Sequence, residues 1–138
     1  MAQKEFTLNS TYDEVAGTSR KVRVFCEESK IEKKECDQIE LCVTEALNNV
    51  IKHSYKGKFK EQIIVHINIL NKRLEIDVID EGEARKSFEK PKLDFDPENI
   101  QSLPEGGMGL FIIEEIMNET HYRIEDGKNI FSMRKYVQ

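Results

Sequence analysis

The chain has 138 residues, a length that fits a single domain able to bury its own core, and we predict no linker or second domain. Its formal net charge of -5 and pI near 5.3 argue against general affinity for nucleic acid or for an anionic membrane surface. No run of residues approaches the ~18 apolar positions of a membrane span, and the opening segment MAQKEFTLNS has no hydrophobic signal. These features predict a cytoplasmic protein.

The three cysteines predict reduced, buried thiols rather than a metal site. Cys26, Cys36 and Cys42 show no Cys-x-x-Cys spacing, and the three histidines do not pair with them at ligand spacing. A free cysteine is most simply a small buried hydrophobe.

The first half of the chain predicts one strand and two helices. Polar and apolar residues alternate over residues 4–8, which indicates a short strand. Apolar residues recur at helical intervals over 12–29, although the polar stretch 17–21 predicts loose first turns. A long helix is predicted over 33–55, ended by Gly57 in a left-handed cap.

The second half predicts two hairpins separated by a helix over residues 109–117. The hairpins comprise strands 61–70 and 73–79 around Asn71-Lys72, and strands 121–125 and 129–136 around Asp126-Gly127. The order of elements predicts an α/β (α+β) two-layer sandwich, with a mostly antiparallel sheet and helices on one face.

A long connection without regular structure precedes the third helix. Over residues 81–105 the chain has three prolines, many charges and few apolar residues. A connection this long inside a small domain is usually a functional lid or a disordered segment.

The long helix carries two polar residues that can perform phosphate chemistry. Its apolar stripe includes Ile39, Val43 and Leu47, whereas Glu45 and Asn49 lie four residues apart on another face. An asparagine oxygen can ligate Mg²⁺, and a glutamate beside a terminal phosphate can accept a proton from an attacking hydroxyl. The plainer alternative is the solvated face of an amphipathic helix.

Lys52 and His53 continue that polar ridge. They either offer positive charge to phosphate oxygens or are ordinary surface residues.

A glycine-rich segment precedes the third helix. Gly106-Gly107-Met108-Gly109 would let backbone N–H groups converge on a phosphate at a helix N-terminus. The alternative is a hinge for the lid. No Gly-Lys-Ser/Thr follows, so this is not a Walker loop, and the dinucleotide-binding glycine arrangement is also absent.

Asp80 closes a predicted strand two residues before Gly82. Its carboxylate could face a pocket and accept a hydrogen bond from the exocyclic amine of adenine. The alternative is a solvated turn aspartate with Asx-type bonding.

Three stretches together resemble the motifs of one superfamily. They are Thr44-Glu45-Ala46-Leu47-Asn48-Asn49 followed by Lys52-His53, then Asp80-Glu81-Gly82, and then Gly107-Met108-Gly109-Leu110-Phe111. In that order they resemble the N-box, the adenine-binding box and the second glycine box of the gyrase/histidine-kinase (GHKL) ATPases. Residues 115–133 resemble the closing helix and hairpin. Within the superfamily the match is to the small serine/threonine kinases that act as bacterial anti-sigma factors.

The resemblance implies a Bergerat-type fold that holds ATP and Mg²⁺ beneath a mobile lid at about 81–106. By position, Glu45 would be the general base, Asn49 the Mg²⁺ ligand and Asp80 the adenine anchor. The whole predicted nucleotide-binding set is Asn49, Lys52, His53, Asp80, Gly82, Gly106, Gly107, Met108, Gly109, Leu110 and Ser132. Ser132 would support the adenine site if its side chain points inward.

The resemblance also implies protein partners. One is a sigma factor that the kinase sequesters, usually as a homodimer for which the N-terminal strand is a plausible seam. The other is a small antagonist domain that the kinase phosphorylates on Ser or Thr.

Two positions depart from the family pattern. Ala84 stands where the first glycine box often ends in glycine, and Glu105 stands where some members have a basic residue. These departures leave open an alternative function, a nucleotide-binding sequestration module with little or no kinase activity. The catalytic half of a two-component histidine kinase is disfavoured, because too few residues precede the long helix for a dimerising helix with a phosphoacceptor histidine.

Overall fold

The protein forms two layers, an antiparallel sheet and a set of helices that pack on one of its faces. The computed structural model describes residues 2–58, 60–84 and 109–137. The elements are β1 (Ala2–Asn9), α1 (Tyr12–Glu28), α2 (Lys33–Asn49), a π-helical turn (Val50–Ser54), β2 (Gln62–Leu70), β3 (Arg73–Asp80), α3 (Gly109–Ile116), β4 (Glu119–Glu125) and β5 (Lys128–Tyr136). The predicted α/β architecture is confirmed.

The sheet has five strands in the order β1-β2-β3-β5-β4, and every neighbouring pair is antiparallel. Asn71 and Lys72 have φ angles of 51° and 63°, and Asp126 and Gly127 have 52° and 74°. Two consecutive positive φ angles are typical of the type I′ turns that suit the right-handed twist of paired strands. Both predicted hairpins are therefore confirmed.

The hydrophobic core lies between the sheet and the helices. In β2, the buried residues Ile63, Val65 and Ile67 alternate with half-buried ones, so one face of the strand packs under the helices. From the helix side, the predicted stripe on α2 is buried, and Ile39 and Leu47 have no exposed surface.

The prediction of loose first turns in α1 is wrong. The helix is continuous from Tyr12 to Glu28, and its polar residues Thr18 and Ser19 are buried. The Thr44 hydroxyl of α2 donates to the Ser19 hydroxyl over 2.9 Å. Polar residues occupy this helix–helix contact because their hydroxyl groups have partners there.

The predicted long helix ends where it was expected to end, but its last part is π-helical rather than α-helical. After Asn49 it continues as the π-helical turn Val50–Ser54, in which the Tyr55 N–H donates to the Val50 carbonyl five residues earlier. Gly57, with φ of 80°, then ends the helix as predicted. Single-turn π-bulges in α-helices are frequently found at functional sites.

All three cysteines are free and buried, as predicted. Burial in the apolar core raises the pKa of the Cys26 and Cys42 thiols to about 12. Within the described ranges, no helix combines the length and apolar character needed to cross a membrane.

Candidate functional site

A small recess opens where α2 and the π-helical turn meet β3, β4 and β5. Its lining residues are Ala46, Asn49, Val50, Ser54, Asp80, Tyr122 and Phe131. Apolar and aromatic walls with a few convergent polar groups are typical of small-molecule sites. The recess therefore suits a flat, mostly apolar ring that carries a hydrogen-bond donor.

Asp80 is a buried charged residue of this recess. It ends β3 with 4% of its surface exposed, directly across from Asn129 of β5. Asp80 Oδ1 accepts hydrogen bonds from Asn129 Nδ2 at 2.8 Å and from the Gly82 N–H at 2.9 Å, and the Ser54 hydroxyl also donates to the carboxylate.

Burial raises the pKa of the Asp80 carboxyl above its ordinary value, although the hydrogen bonds partly oppose this effect. The bond to Gly82 is the Asx type that the alternative reading proposed. The carboxylate itself is buried. The alternative of a solvated turn aspartate is therefore wrong about the exposure of Asp80.

Gly82 is required by close packing against the π-helical turn. A Cβ atom at this position would lie 2.5 Å from the Ser54 carbonyl oxygen, which is backbone and has little room to move. The neighbouring Glu83 N–H donates to the same oxygen over 2.8 Å. The glycine therefore allows the chain leaving β3 to approach the helix at this point.

Substitution of Gly82 by alanine should destabilise the protein by about 1–3 kcal/mol, because the added methyl group must displace backbone atoms. Gly17 is a suitable control: a Cβ there meets nothing within 4 Å, so Gly17→Ala should stabilise helix α1 by about 0.5–1 kcal/mol. Urea unfolding of the two variants measures whether the free energy of unfolding falls in Gly82→Ala and rises in Gly17→Ala. A Gly82→Ala variant as stable as the wild type would contradict the close approach.

The phosphate-side residues meet where α3 begins. A Cβ atom on Gly109 would lie 3.0 Å from Glu45 Oε2 and 3.2 Å from Asn49 Nδ2. The structure therefore brings the two predicted helix residues together with the last glycine of the glycine-rich segment. This end of α3 carries the positive pole of the helix dipole, which favours an anion.

Two further residues lie outside the pocket lining. Lys52 is exposed and His53 half-buried on the π-helical turn, and the structure does not bring either into the recess. Their roles toward phosphate stay predictions. The Leu110 side chain is buried in the core, so only its backbone N–H remains available to a ligand.

The prediction for Ser132 is wrong. Its neighbours Phe131 and Met133 face the core, and successive side chains of a strand point to opposite faces, so Ser132 lies on the outer face of the sheet. There its hydroxyl donates to Asp77 Oδ1 over 2.5 Å and accepts from Arg123 over 3.0 Å. It does not contribute to the recess.

Several predicted residues lie outside the described part of the chain. They are Gly106, Gly107, Met108 and Glu105, together with most of the predicted lid.

Sequence reasoning assigned Ala46 and Val50 only to the apolar stripe of α2, and it did not name Ser54, Tyr122, Asn129 or Phe131 as site residues. A signal for Asn129 was present, because its distance from the Asp126-Gly127 turn fixes its place on β5. No comparable signal marked Ser54, whose position depends on the π-helical turn.

Comparison with known proteins agrees with this geometry. The family model for the histidine kinase-like ATPase domain matches residues 8–135. The chain belongs to the histidine kinase-like ATPase family. The Bergerat-type fold expected from the sequence motifs is thereby confirmed.

Curated relatives in this family are serine-protein kinases. The chain is 37% identical over 109 residues to the serine-protein kinase RsbW of Staphylococcus aureus (strain bovine RF122 / ET3-1), covering 75% of this chain and 67% of the relative. It is 31% identical over 106 residues to RsbW of Bacillus licheniformis, covering 75% and 66%. The matches thus span about two thirds of the length of these relatives.

Solved structures show the same fold at low sequence identity. One contains the RsbU and RsbW domains of Rv1364c from Mycobacterium tuberculosis, with a TM-score of 0.70 and 16% identity, covering 99% of this chain and 33% of that one. Another is the SiaB–SiaC complex from Pseudomonas aeruginosa, with a TM-score of 0.53 and 16% identity, covering 96% of this chain and 89% of the other.

Proposed function

We propose that this protein is an ATP-dependent protein serine/threonine kinase that acts as an anti-sigma factor by switching between two partners. It would phosphorylate a Ser or Thr of a small antagonist domain, and it would otherwise hold a sigma factor. The observation that carries this proposal is the meeting of Glu45 and Asn49 with the start of α3, beside a recess that contains a buried Asp80.

The adenine ring would occupy the recess between Val50 and Phe131, with its amine donating to Asp80. A hydrogen bond to a charged acceptor contributes about 1.5–3 kcal/mol. The apolar walls exclude water from that bond, which strengthens it.

The triphosphate would then extend toward the N-terminus of α3. Asn49 Oδ1 would hold Mg²⁺, a hard cation that prefers oxygen ligands and shares its remaining positions with phosphates and water. The residues present fit this ion, because an amide oxygen lies at the helix terminus where the phosphates would arrive. When bound, Mg²⁺ offsets the negative charge of the phosphates during transfer.

Glu45 would act as the general base. The acceptor hydroxyl oxygen forms a bond to the γ-phosphorus, the bond between that phosphorus and the β–γ bridging oxygen breaks, and ADP leaves. The proton of the hydroxyl passes to a Glu45 carboxylate oxygen. The half-buried position of Glu45, next to the start of α3, supports this role.

A homodimer is the proposed state for sigma-factor binding. β1 forms one edge of the sheet in the described part of the chain, and an edge strand offers unpaired backbone groups to another chain. This arrangement supports the N-terminal strand as the seam.

Substitution of Asn49 by alanine tests the phosphate side of the proposal. Transfer of labelled γ-phosphate from ATP to serine or threonine in a protein fraction of the source cells should require Mg²⁺. We expect Asn49→Ala to lower transfer by a factor on the order of 10² or more, because the metal loses its protein ligand.

The matched control is Asn48→Ala, since Asn48 is the adjacent half-exposed asparagine and does not line the recess. It should retain transfer within about twofold. Equal activity of the two variants would contradict the role of Asn49, and ATP binding without any transfer by the wild type would favour the sequestration module.

A further inference from the structure

The chain that leaves β3 is held at each of the three residues following Asp80. The Glu81 N–H donates to the Tyr55 phenol oxygen over 2.9 Å. The Gly82 carbonyl accepts from Asn129 over 2.9 Å, and the Glu83 N–H donates to the Ser54 carbonyl over 2.8 Å. Every one of these contacts involves backbone of the segment that follows the adenine anchor.

Asn129 holds two parts of this segment at once. It is 3% exposed, and its side-chain nitrogen donates to Asp80 Oδ1 over 2.8 Å and to the Gly82 carbonyl over 2.9 Å. The amide is planar and has two N–H groups, so both are used. The carboxylate and the backbone beside it are therefore fixed relative to each other.

The π-helical turn supplies the other side of the arrangement. Ser54 contributes its hydroxyl to Asp80 and its carbonyl to Glu83, and the next residue, Tyr55, donates its phenol hydrogen to the Gln62 carbonyl over 2.6 Å. An ordinary tyrosine phenol is already protonated at neutral pH, and burial raises the pKa of the Tyr55 phenol further. Ser54 and Tyr55, two consecutive residues at the end of the helix, therefore both bind the backbone of residues 81–83.

We propose that Ser54, Tyr55 and Asn129 form an exit clamp whose task is to position the Asp80 carboxylate for base recognition. Asp80 Oδ1 accepts two hydrogen bonds, from the Gly82 N–H and from Asn129, and the Ser54 hydroxyl adds a third to the carboxylate, so its orientation in the recess is fixed. These three are positioning residues: Ser54 and Asn129 bond to the Asp80 carboxylate, and Tyr55 holds the N–H of the residue that follows it. The inference rests on the proposed nucleotide-binding function and adds to it the residues that set base selectivity.

The clamp has a consequence that a purely structural role lacks. A carboxylate fixed as an acceptor pairs with the 6-amino group of adenine and repels the 6-carbonyl oxygen of guanine. A carboxylate free to rotate loses part of this discrimination, because it can turn away from the carbonyl oxygen. Weakening the clamp should therefore lower the preference for ATP over GTP as well as ATP affinity.

The test measures ATP and GTP affinity by calorimetry, and KM and kcat for ATP, in Asn129→Ala and Ser54→Ala. We expect Asn129→Ala to bind ATP about tenfold more weakly, with a smaller ATP-to-GTP ratio, and Ser54→Ala to change both in the same direction. KM for ATP should rise while kcat stays within about twofold, because Glu45 and Asn49 are unaltered.

The controls are Asn68→Ala and Ser19→Ala, which remove a strand asparagine and a buried hydroxyl that contact neither Asp80 nor the recess. Both should keep the wild-type ratio. If Asn129→Ala does not fold, the ATP and GTP affinities of Ser54→Ala test the clamp proposal. If the Asn129 and Ser54 variants match the controls in ATP affinity and in the ATP-to-GTP affinity ratio, the clamp proposal is wrong, but the proposed kinase function is not contradicted. A wild-type protein that binds no ATP would contradict both proposals.

Discussion

Replacement of Glu45 by glutamine should leave ATP binding within about twofold and lower phosphoryl transfer by a factor of about 10²–10⁴. Glutamine keeps the size and hydrogen-bonding capacity of the side chain but cannot take the proton of the attacking hydroxyl. Glu45 lies beside the start of α3 rather than beside Asp80, so the base-binding part of the site is unchanged. Calorimetry with ATP and a single-turnover transfer assay check the two halves of this expectation.

Glu115→Gln is the control for charge removal. Glu115 is an exposed glutamate of α3 outside the lining of the recess, so its loss should change neither binding nor transfer. Transfer by Glu45→Gln at the wild-type rate would remove Glu45 from the mechanism.

The second large effect concerns the adenine anchor. Asp80→Asn should weaken ATP binding by about tenfold or more, because the charged acceptor is lost and the replacement amide places donors among the donors already there. The control is Asp77→Asn on the same strand, since Asp77 faces the outer side of the sheet and bonds to Ser132. Equal ATP affinities for the two variants would contradict the assignment of Asp80.

Asp80 should also make binding and stability depend on pH. Burial raises its pKa, and only the ionised carboxylate is a pure acceptor, so ATP affinity should fall as pH is lowered through that raised pKa.

The stability of the folded protein should depend on pH in the opposite sense. Between the ordinary pKa and the raised one, the folded protein binds more protons at this group than the unfolded chain, so the contribution of Asp80 to the free energy of unfolding declines as pH rises. Both dependences should be absent from Asp80→Asn.

The sequence predicted most of the fold because its local signals were strong and agreed with one another. Asn71-Lys72 and Asp126-Gly127 set the two hairpins, and the stripe on α2 identified the buried face of that helix. The polar stretch in α1 misled because the hydroxyl of Ser19 has a partner on another helix, a contact that periodicity does not reveal.

Residue types alone left the function of Glu45, Asn49 and Asp80 open, and the order of the motifs singled them out by resemblance to the superfamily. The fold places Asn49 and Asp80 in the lining of the recess and Glu45 beside the start of α3, whereas their roles toward a nucleotide stay predictions. Ser132 was misplaced because apolar residues occupy three of the four positions 130–133, so the pattern did not reveal which side of β5 faces the core.

The exit clamp could not be foreseen from the sequence. It depends on the change from α- to π-helical hydrogen bonding after Asn49, which places Ser54 and Tyr55 against the end of β3. The residues of the helix alone do not predict this π-helical turn. The turn packs against Gly82, which is distant in the sequence, and such a tertiary contact leaves no local signal.

The most direct test of the account is a calorimetric titration of ATP, and separately of ADP, into the unaltered protein with and without Mg²⁺. We expect one saturable site per chain whose affinity for ATP rises when Mg²⁺ is present. An absence of saturable nucleotide binding under both conditions would contradict the account, because the recess around Asp80 would then serve only the packing of the fold.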